Sequence, residues 1–148
     1  MKTIRILLPL LLCTFGFAAH AQAAEQTSVQ AILITASNEP GRSDPRLASY
    51  EPTLRRILRF TSYRYVGGGS TTLAIPSDGS ISLGNGQQLQ LSAEASQGRG
   101  VRIRVEWKQG RRTLMETGLS LSPGVPAVLG GPGTGNGDEV YAVILVGR

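Results

Sequence analysis

The chain has 148 residues, with fifteen Lys and Arg against ten Asp and Glu and a formal charge of +5. Its one Cys, Cys13, and its one His, His20, both stand within the first 24 residues. The remainder therefore has neither thiol nor imidazole, which excludes His/Cys zinc and copper sites, disulfides, and the usual base for a serine nucleophile.

At the N-terminus Lys2 and Arg5 precede the apolar run ILLPLLLCTFGFAA, and Ala21-Gln22-Ala23-Ala24 then leads into polar Glu25-Gln26. A charged head, an apolar run shorter than the roughly 20 residues of a spanning helix, and small residues in an A-x-A order make a secretory signal peptide over residues 1–24. Cleavage is expected after Ala21, Ala23 or Ala24. Lipidation of Cys13 is not expected, because bulky Leu12 stands where such sites want a small residue. Residues 25–148 are expected to be exported, periplasmic or extracellular, as a single β-rich domain with no transmembrane segment. Thirteen basic residues remain there against ten acidic ones, and all but Lys108 of the thirteen are arginines. Nothing recurs at a fixed period.

Residues 27–37, TSVQAILITAS, are β-branched and apolar with little interruption, as in a strand buried on both faces. NEPGRSDPR then breaks the chain, and Asp44-Pro45 is a helix start, with the carboxylate capping free amides and the proline in the first turn. Leu47, Tyr50, Leu54, Ile57 and Leu58 follow at helical spacing. Pro52 lies inside that stretch and demands a kink or a fresh start at Glu51-Pro52. At about 100° per residue, Leu54, Ile57 and Leu58 gather on one side of this helix and Arg55, Arg56 and Arg59 on the other. Those three arginines are the candidate ligand-binding residues, because arginine holds phosphate or carboxylate through two parallel hydrogen bonds. The competing reading is a solvated face that keeps the protein in solution.

From Thr61 onward the period becomes two. SYRYV alternates, Gly67-Gly68-Gly69 interrupts it, and STTLAI resumes before Pro76. Asp78-Gly79 and Asn85-Gly86 are hairpin dipeptides flanking the short strand SISL. QLQLSAEA puts Leu89, Leu91, Ala93 and Ala95 on one face, and VRIRVEWK does the same with Val101, Ile103, Val105 and Trp107. Arg102, Arg104, Glu106 and Lys108 take the opposite face. With RRTLMETGLSL after Gln109-Gly110, these pieces read as an antiparallel meander with one apolar and one charged face. Tyr63 and Tyr65 share a face that suits packing on the helix.

The closing VLGGPGTGNGDEVYAVILVGR carries glycines from Gly130 to Gly137. A P-loop needs GxxxxGK[ST]; Gly130 and Gly135 have that separation, but Asn136 and Gly137 replace the lysine and hydroxyl. A dinucleotide-binding GxGxxG also fails, since Asn136 follows where a third glycine belongs. Both motifs must open a helix, whereas VYAVILV is a strand. The glycines are expected to form a flexible loop between strands. Carboxylate chemistry on a polysaccharide would need a pair drawn from Glu94, Glu106 and Glu116, which neighbouring strands can bring together.

VRIRVEWKQGRRTLMETGLSLSPGVPAVLGG, with a strand to the end, resembles small exported bacterial β-rich proteins over the last half of the chain. That resemblance implies export and a β-rich domain and carries over no catalytic residue. The expected fold is α+β, a mainly antiparallel β-sheet or sandwich with one helix near the N-terminus. The expected function is an exported cell-envelope binding or assembly module without catalytic activity, the alternative being a carboxylate-based hydrolase or lyase acting on an envelope polysaccharide. The expected partner is an anionic envelope polymer or a protein; no cofactor, metal or nucleic acid is expected.

Overall fold

The consecutive apolar residues Ala31 to Ile34 within residues 27–37 require cover on both sides, and a central strand supplies it. The computed structural model describes residues 25–95 and 100–148; the signal peptide expected at residues 1–24 lies outside them. β1 (Gln26–Ser37) runs between β2 (Ser62–Ala74) and β8 (Val140–Gly147), with β7 (Ala127–Gly133) outside β8, in one antiparallel sheet. A second antiparallel sheet is the meander β3 (Ser77–Gly84), β4 (Gln87–Glu94), β5 (Val101–Gln109) and β6 (Arg112–Leu121). The molecule is a mostly antiparallel β-sandwich with a single short α-helix near the N-terminal region.

Alternation sorts the core. Val29, Ala31 and Leu33 of β1 and Val143 and Leu145 of β8 face the second sheet, where they meet Leu89, Leu91 and Ala93 of β4 and Ile103, Val105 and Trp107 of β5. The intervening residues Ile32, Ile34, Ala36, Ala142, Ile144 and Val146 face away from that interface and pack with Leu47, Leu54 and Tyr63. β1 is thus buried on both faces, as its composition requires. Ala95, expected with the β4 core residues, is exposed just past the strand end.

The helical segment does restart at Pro52. Asp44 caps a 3-10 turn at Pro45–Leu47, and α1 (Glu51–Leu58) begins afresh with the proline in its first turn. Of the expected apolar side, Leu54 is buried and Leu58 half-buried, but Ile57 is 48% exposed. Leu58 packs toward β7, its Cδ2 lying 3.6 Å from where a Cβ on Gly130 would be.

Three local expectations are corrected. SYRYV and STTLA belong to one strand, β2, paired with β1 and not part of the meander, with Leu33 opposite Gly67, Ala31 opposite Gly69 and a register shift at Val66. The glycines do not interrupt it; they let β3 cross close by. A Cβ on Gly67 would strike the Leu83 carbonyl, and one on Gly69 would lie 2.9 Å from the Ser82 oxygen. Second, Asp78-Gly79 is no hairpin but lies inside β3, opposite Ser92 and Leu91. Asn85-Gly86 does turn the chain, with φ of 55° and 72°. Third, Gly130, Gly131 and Gly133 belong to β7, and the corner is made beyond them at Gly135 and Gly137, where φ is 95° and 54°.

Candidate functional site

The cover on the first sheet is shorter than the sheet. Along β1 the side chains facing away from the second sheet run Ser28, Gln30, Ile32, Ile34, Ala36; the last three are buried under the residues around α1, while Ser28 and Gln30 are only partly covered. Beyond the cover the sheet surface is open, and a depression of about 740 Å³ lies over it. Its floor is β1 from Ser28 to Ile32 beside Gly68 to Ser70 of β2, in register as Ile32 opposite Gly68 and Gln30 opposite Ser70. Arg46, Ser49, Tyr50 and Tyr65 form one wall, and Arg148 closes the end beyond β8. The Arg148 N–H donates to the Ser28 carbonyl at 2.8 Å, which fixes that end to β1.

Arg46 is held by three constraints. Its Nη2 donates to Asp44 Oδ2 at 2.7 Å and its Nε to Oδ1 at 3.1 Å, so one edge of the guanidinium is occupied. Its Cζ stands 4.0 Å from the centroid of the Tyr65 ring, a cation–π stack. Asp44 in turn is fixed by its own N–H, which donates to the Tyr63 carbonyl at 2.9 Å, and by the Arg46 N–H on its Oδ1 at 3.0 Å. The Arg46 side-chain hydrogen bonds hold the Asp44 carboxyl down at about 2, and the same bonds raise the guanidinium further. The Arg46 side chain is nonetheless 64% exposed. No Asp or Glu is among the groove's lining residues.

The three arginines expected from the sequence stand elsewhere. Arg55 is committed to Glu51, Nη2 to Oε1 at 2.6 Å, and also donates to the Thr61 carbonyl at 3.2 Å. Arg56 is exposed on α1, and Arg59 follows it as a left-handed cap with φ of 57°. Among the described residues neither makes an ion pair. None of the three lines the groove.

The carboxylates divide differently. The β5–β6 register sets Glu106 directly opposite Glu116, whereas Glu94 sits opposite Arg102 at the other end of the face. Glu106 accepts from Thr113 Oγ1 at 2.9 Å and pairs with Lys108 Nζ at 3.4 Å. Glu106 and Glu116 share a shallow depression of about 470 Å³ with Asp78 and Arg104 on the open face of the second sheet. Trp107 is fully buried, its Nε1 donating to Gln87 Oε1 at 2.8 Å, and is core.

Arg46, Tyr65 and Arg148 are the site residues that sequence reasoning missed. One trace of the groove was present: the outward series of β1 changes from Ser28 and Gln30 to Ile32, Ile34 and Ala36, which marks where the cover must end. No protein family, no curated protein and no solved structure matches this chain. Among the described residues no helix is long and apolar enough to cross a membrane.

Proposed function

We propose that this chain is exported and serves at the cell envelope as a non-catalytic binding module for an anionic envelope polymer. The observation that carries this reading is the groove lining: two arginines, serine and tyrosine hydroxyls and the Gln30 amide, with no Asp or Glu side chain among them. Such a set donates and accepts hydrogen bonds. The arginines of α1 add a second basic surface, of which Arg56 and Arg59 are not spent on an ion pair among the described residues. The test is co-sedimentation of the purified chain with isolated envelope polymer at rising salt. Retention at low salt that declines as salt screens the charges supports the reading; no retention at low salt overturns it.

The second reading, a carboxylate-based hydrolase, draws on the Glu106–Glu116 opposition. Release of reducing sugar ends from an envelope polysaccharide, abolished by Glu106→Gln or Glu116→Gln, is its required outcome.

A further inference from the structure

Two four-stranded sheets have four edge strands, β2 and β7 in the first and β3 and β6 in the second. An exposed edge is a template for further strand pairing unless it is covered, bent or broken by proline. β2 is covered along its outer side. The Asp44 N–H donates to the Tyr63 carbonyl at 2.9 Å and the Tyr63 N–H donates to Ser43 Oγ at 3.2 Å. From Gly67 to Leu73 β3 runs alongside, so close that a Cβ on Gly69 would lie 2.9 Å from the Ser82 oxygen, and that approach covers β3 as well. β7 is blunted: it has seven residues, Pro132 stands in it, and its register on β8 shifts between Gly130 and Gly133.

β6 has none of these devices over most of its length. It runs for ten residues without proline, and past a register shift at Leu114 it pairs regularly with β5 from Met115 to Leu121. Among the described strands only β5 pairs with it. Antiparallel ladders send alternate N–H and C=O groups away from the partner strand, so the outer side of β6 presents a row of them. The side chains of this stretch alternate too. Met115, Thr117 and Leu119, opposite Trp107, Val105 and Ile103, are half-buried, whereas Glu116, Gly118 and Ser120 are exposed. Met115 and Leu119 pack against the layer between the sheets without being closed over by it. A strand added here therefore needs one apolar face that continues that layer and one polar face.

β6 itself is such a strand. A two-fold axis perpendicular to the sheet sets two copies of an edge strand antiparallel and keeps each face on its own side. Only residues of one face then oppose each other, so the axis passes through a residue. An axis at Glu116 would oppose two carboxylates, and one at Gly118 would set the Thr117 hydroxyl against the partner's Leu119. At Thr117 the two strands match: Met115 lies opposite the partner's Leu119, hydroxyl meets hydroxyl, and Glu116 faces the partner's Gly118 instead of a like charge. We propose that a second copy of this chain docks on β6 by antiparallel β6–β6 pairing centred on Thr117, joining the two meanders into one continuous sheet. The pairing uses the open edge of both copies and so closes the assembly at two. It lies on the sheet that the groove does not touch, and it neither needs nor tests the polymer reading.

Sedimentation equilibrium of the protein recovered from an exporting host tests this. One strand per copy makes a small interface, so a monomer–dimer equilibrium with a dissociation constant of about 1–100 μM is expected, with no larger species. Gly118 is the position to vary, because it is exposed and a Cβ there meets nothing within 4 Å. Gly118→Lys sets an ammonium opposite the partner's Glu116 and should tighten the dimer. Gly118→Glu opposes like charges and should loosen it, each by about 2–30-fold because the contact occurs twice. Within one copy the signs reverse, since Gly118 lies opposite Arg104 of β5. The Glu variant should thus resist urea better than the Lys variant, and these opposite orders separate docking from a change in the fold. Circular dichroism checks that each variant is folded. In a Cys13→Ser background, a mixture of the Glu116→Cys and Gly118→Cys variants should form a disulfide-linked dimer on mild oxidation faster than either alone, because the two positions face each other across the axis. A chain that stays monomeric up to about 1 mM overturns the proposal. So does a dimer indifferent to the sign of the charge at position 118, association beyond the dimer, or cross-linking no faster in the mixture.

Discussion

Gly131 and Gly133 stand two residues apart in β7 and have opposite needs. A Cβ on Gly131 would run into the six-membered ring of Trp107 and approach the Tyr141 carbonyl at 3.0 Å, whereas on Gly133 it would find only the Glu139 carbonyl at 3.7 Å. The indole cannot yield without losing its bond to Gln87. Gly131→Ala should destabilise by about 1–3 kcal/mol through overpacking, and Gly133→Ala by less than about 0.5 kcal/mol. Denaturant unfolding followed by Trp107 fluorescence reads both, and equal midpoints would contradict the close approach. Tyr63 is a second such residue: fully buried, its hydroxyl donates to the Phe60 carbonyl at 2.8 Å and accepts from the Phe60 N–H at 3.2 Å. Tyr63→Phe orphans both groups and should cost about 1–3 kcal/mol. Burial raises the Tyr63 phenol above the ordinary 10.0, so its contribution is complete below that value and is lost as pH rises through the higher folded one. The Asp44 carboxyl behaves oppositely. Its folded value near 2 lies below the ordinary 3.8, so the stabilisation it gives is complete above 3.8 and disappears as pH falls through about 2. An NMR titration of its carboxyl carbon should show a midpoint near 2; one near 3.8 would mean that Arg46 is not held in solution.

At the scale of elements, α1 is eight residues long, too short to persist without its contacts. Leu54 supplies the buried contact, and the Glu51–Arg55 pair at i,i+4 adds only about 0.3–0.5 kcal/mol. Replacing Arg55, Arg56 and Arg59 together by Glu should therefore leave the fold intact, while weakening retention on an anionic polymer to the degree that added salt does. Because Arg55 is already paired, the double variant Arg56→Glu, Arg59→Glu should account for most of the loss. Retention unchanged at low salt, in a folded triple variant, would reduce these arginines to a solubilising face. β2 depends on glycine for a different reason. At Gly67 the obstacle is the Leu83 backbone carbonyl, which has no rotamer to change. Gly67→Ala should thus destabilise more than an alanine at exposed Gly118, where an added Cβ meets nothing within 4 Å.

For the whole molecule, two sheets share one buried layer, and the residues from Leu47 to Tyr63 complete a second layer on one sheet only. The second sheet's outer face is left polar, with Arg102, Arg104, Glu106 and Lys108 on it, and the first sheet keeps the open stretch that forms the groove. Export is the expectation at this scale that a mass spectrum decides. Intact protein recovered from an exporting host should begin between Gln22 and Glu25, and a product retaining Cys13 would overturn both the compartment and the thiol-free chemistry built on it.

Much of this architecture was legible because period and burial are local properties. Strict alternation in QLQL and VRIRVEW placed Leu89, Leu91, Ile103, Val105 and Trp107 in the core, and the apolar run from Ala31 to Ile34 marked β1 as buried on both faces. Pro52 limited the helix to a kink or a fresh start, of which the fold takes the second, and Asn85-Gly86 marked its hairpin, since their backbone restrictions act within two or three residues. Other features depend on what lies across the fold. Glycine in sequence reads as a break, yet at Gly67 and Gly69 it admits β3, and at Gly131 it admits an indole from the opposite sheet. The arginines of α1 were visible by helical period, whereas Arg46 acquires its posture from Asp44 and Tyr65, and Arg148 reaches the groove because β8 pairs with β1. A groove is made by the distance at which cover stops, and only the packing of α1 on the sheet sets that distance.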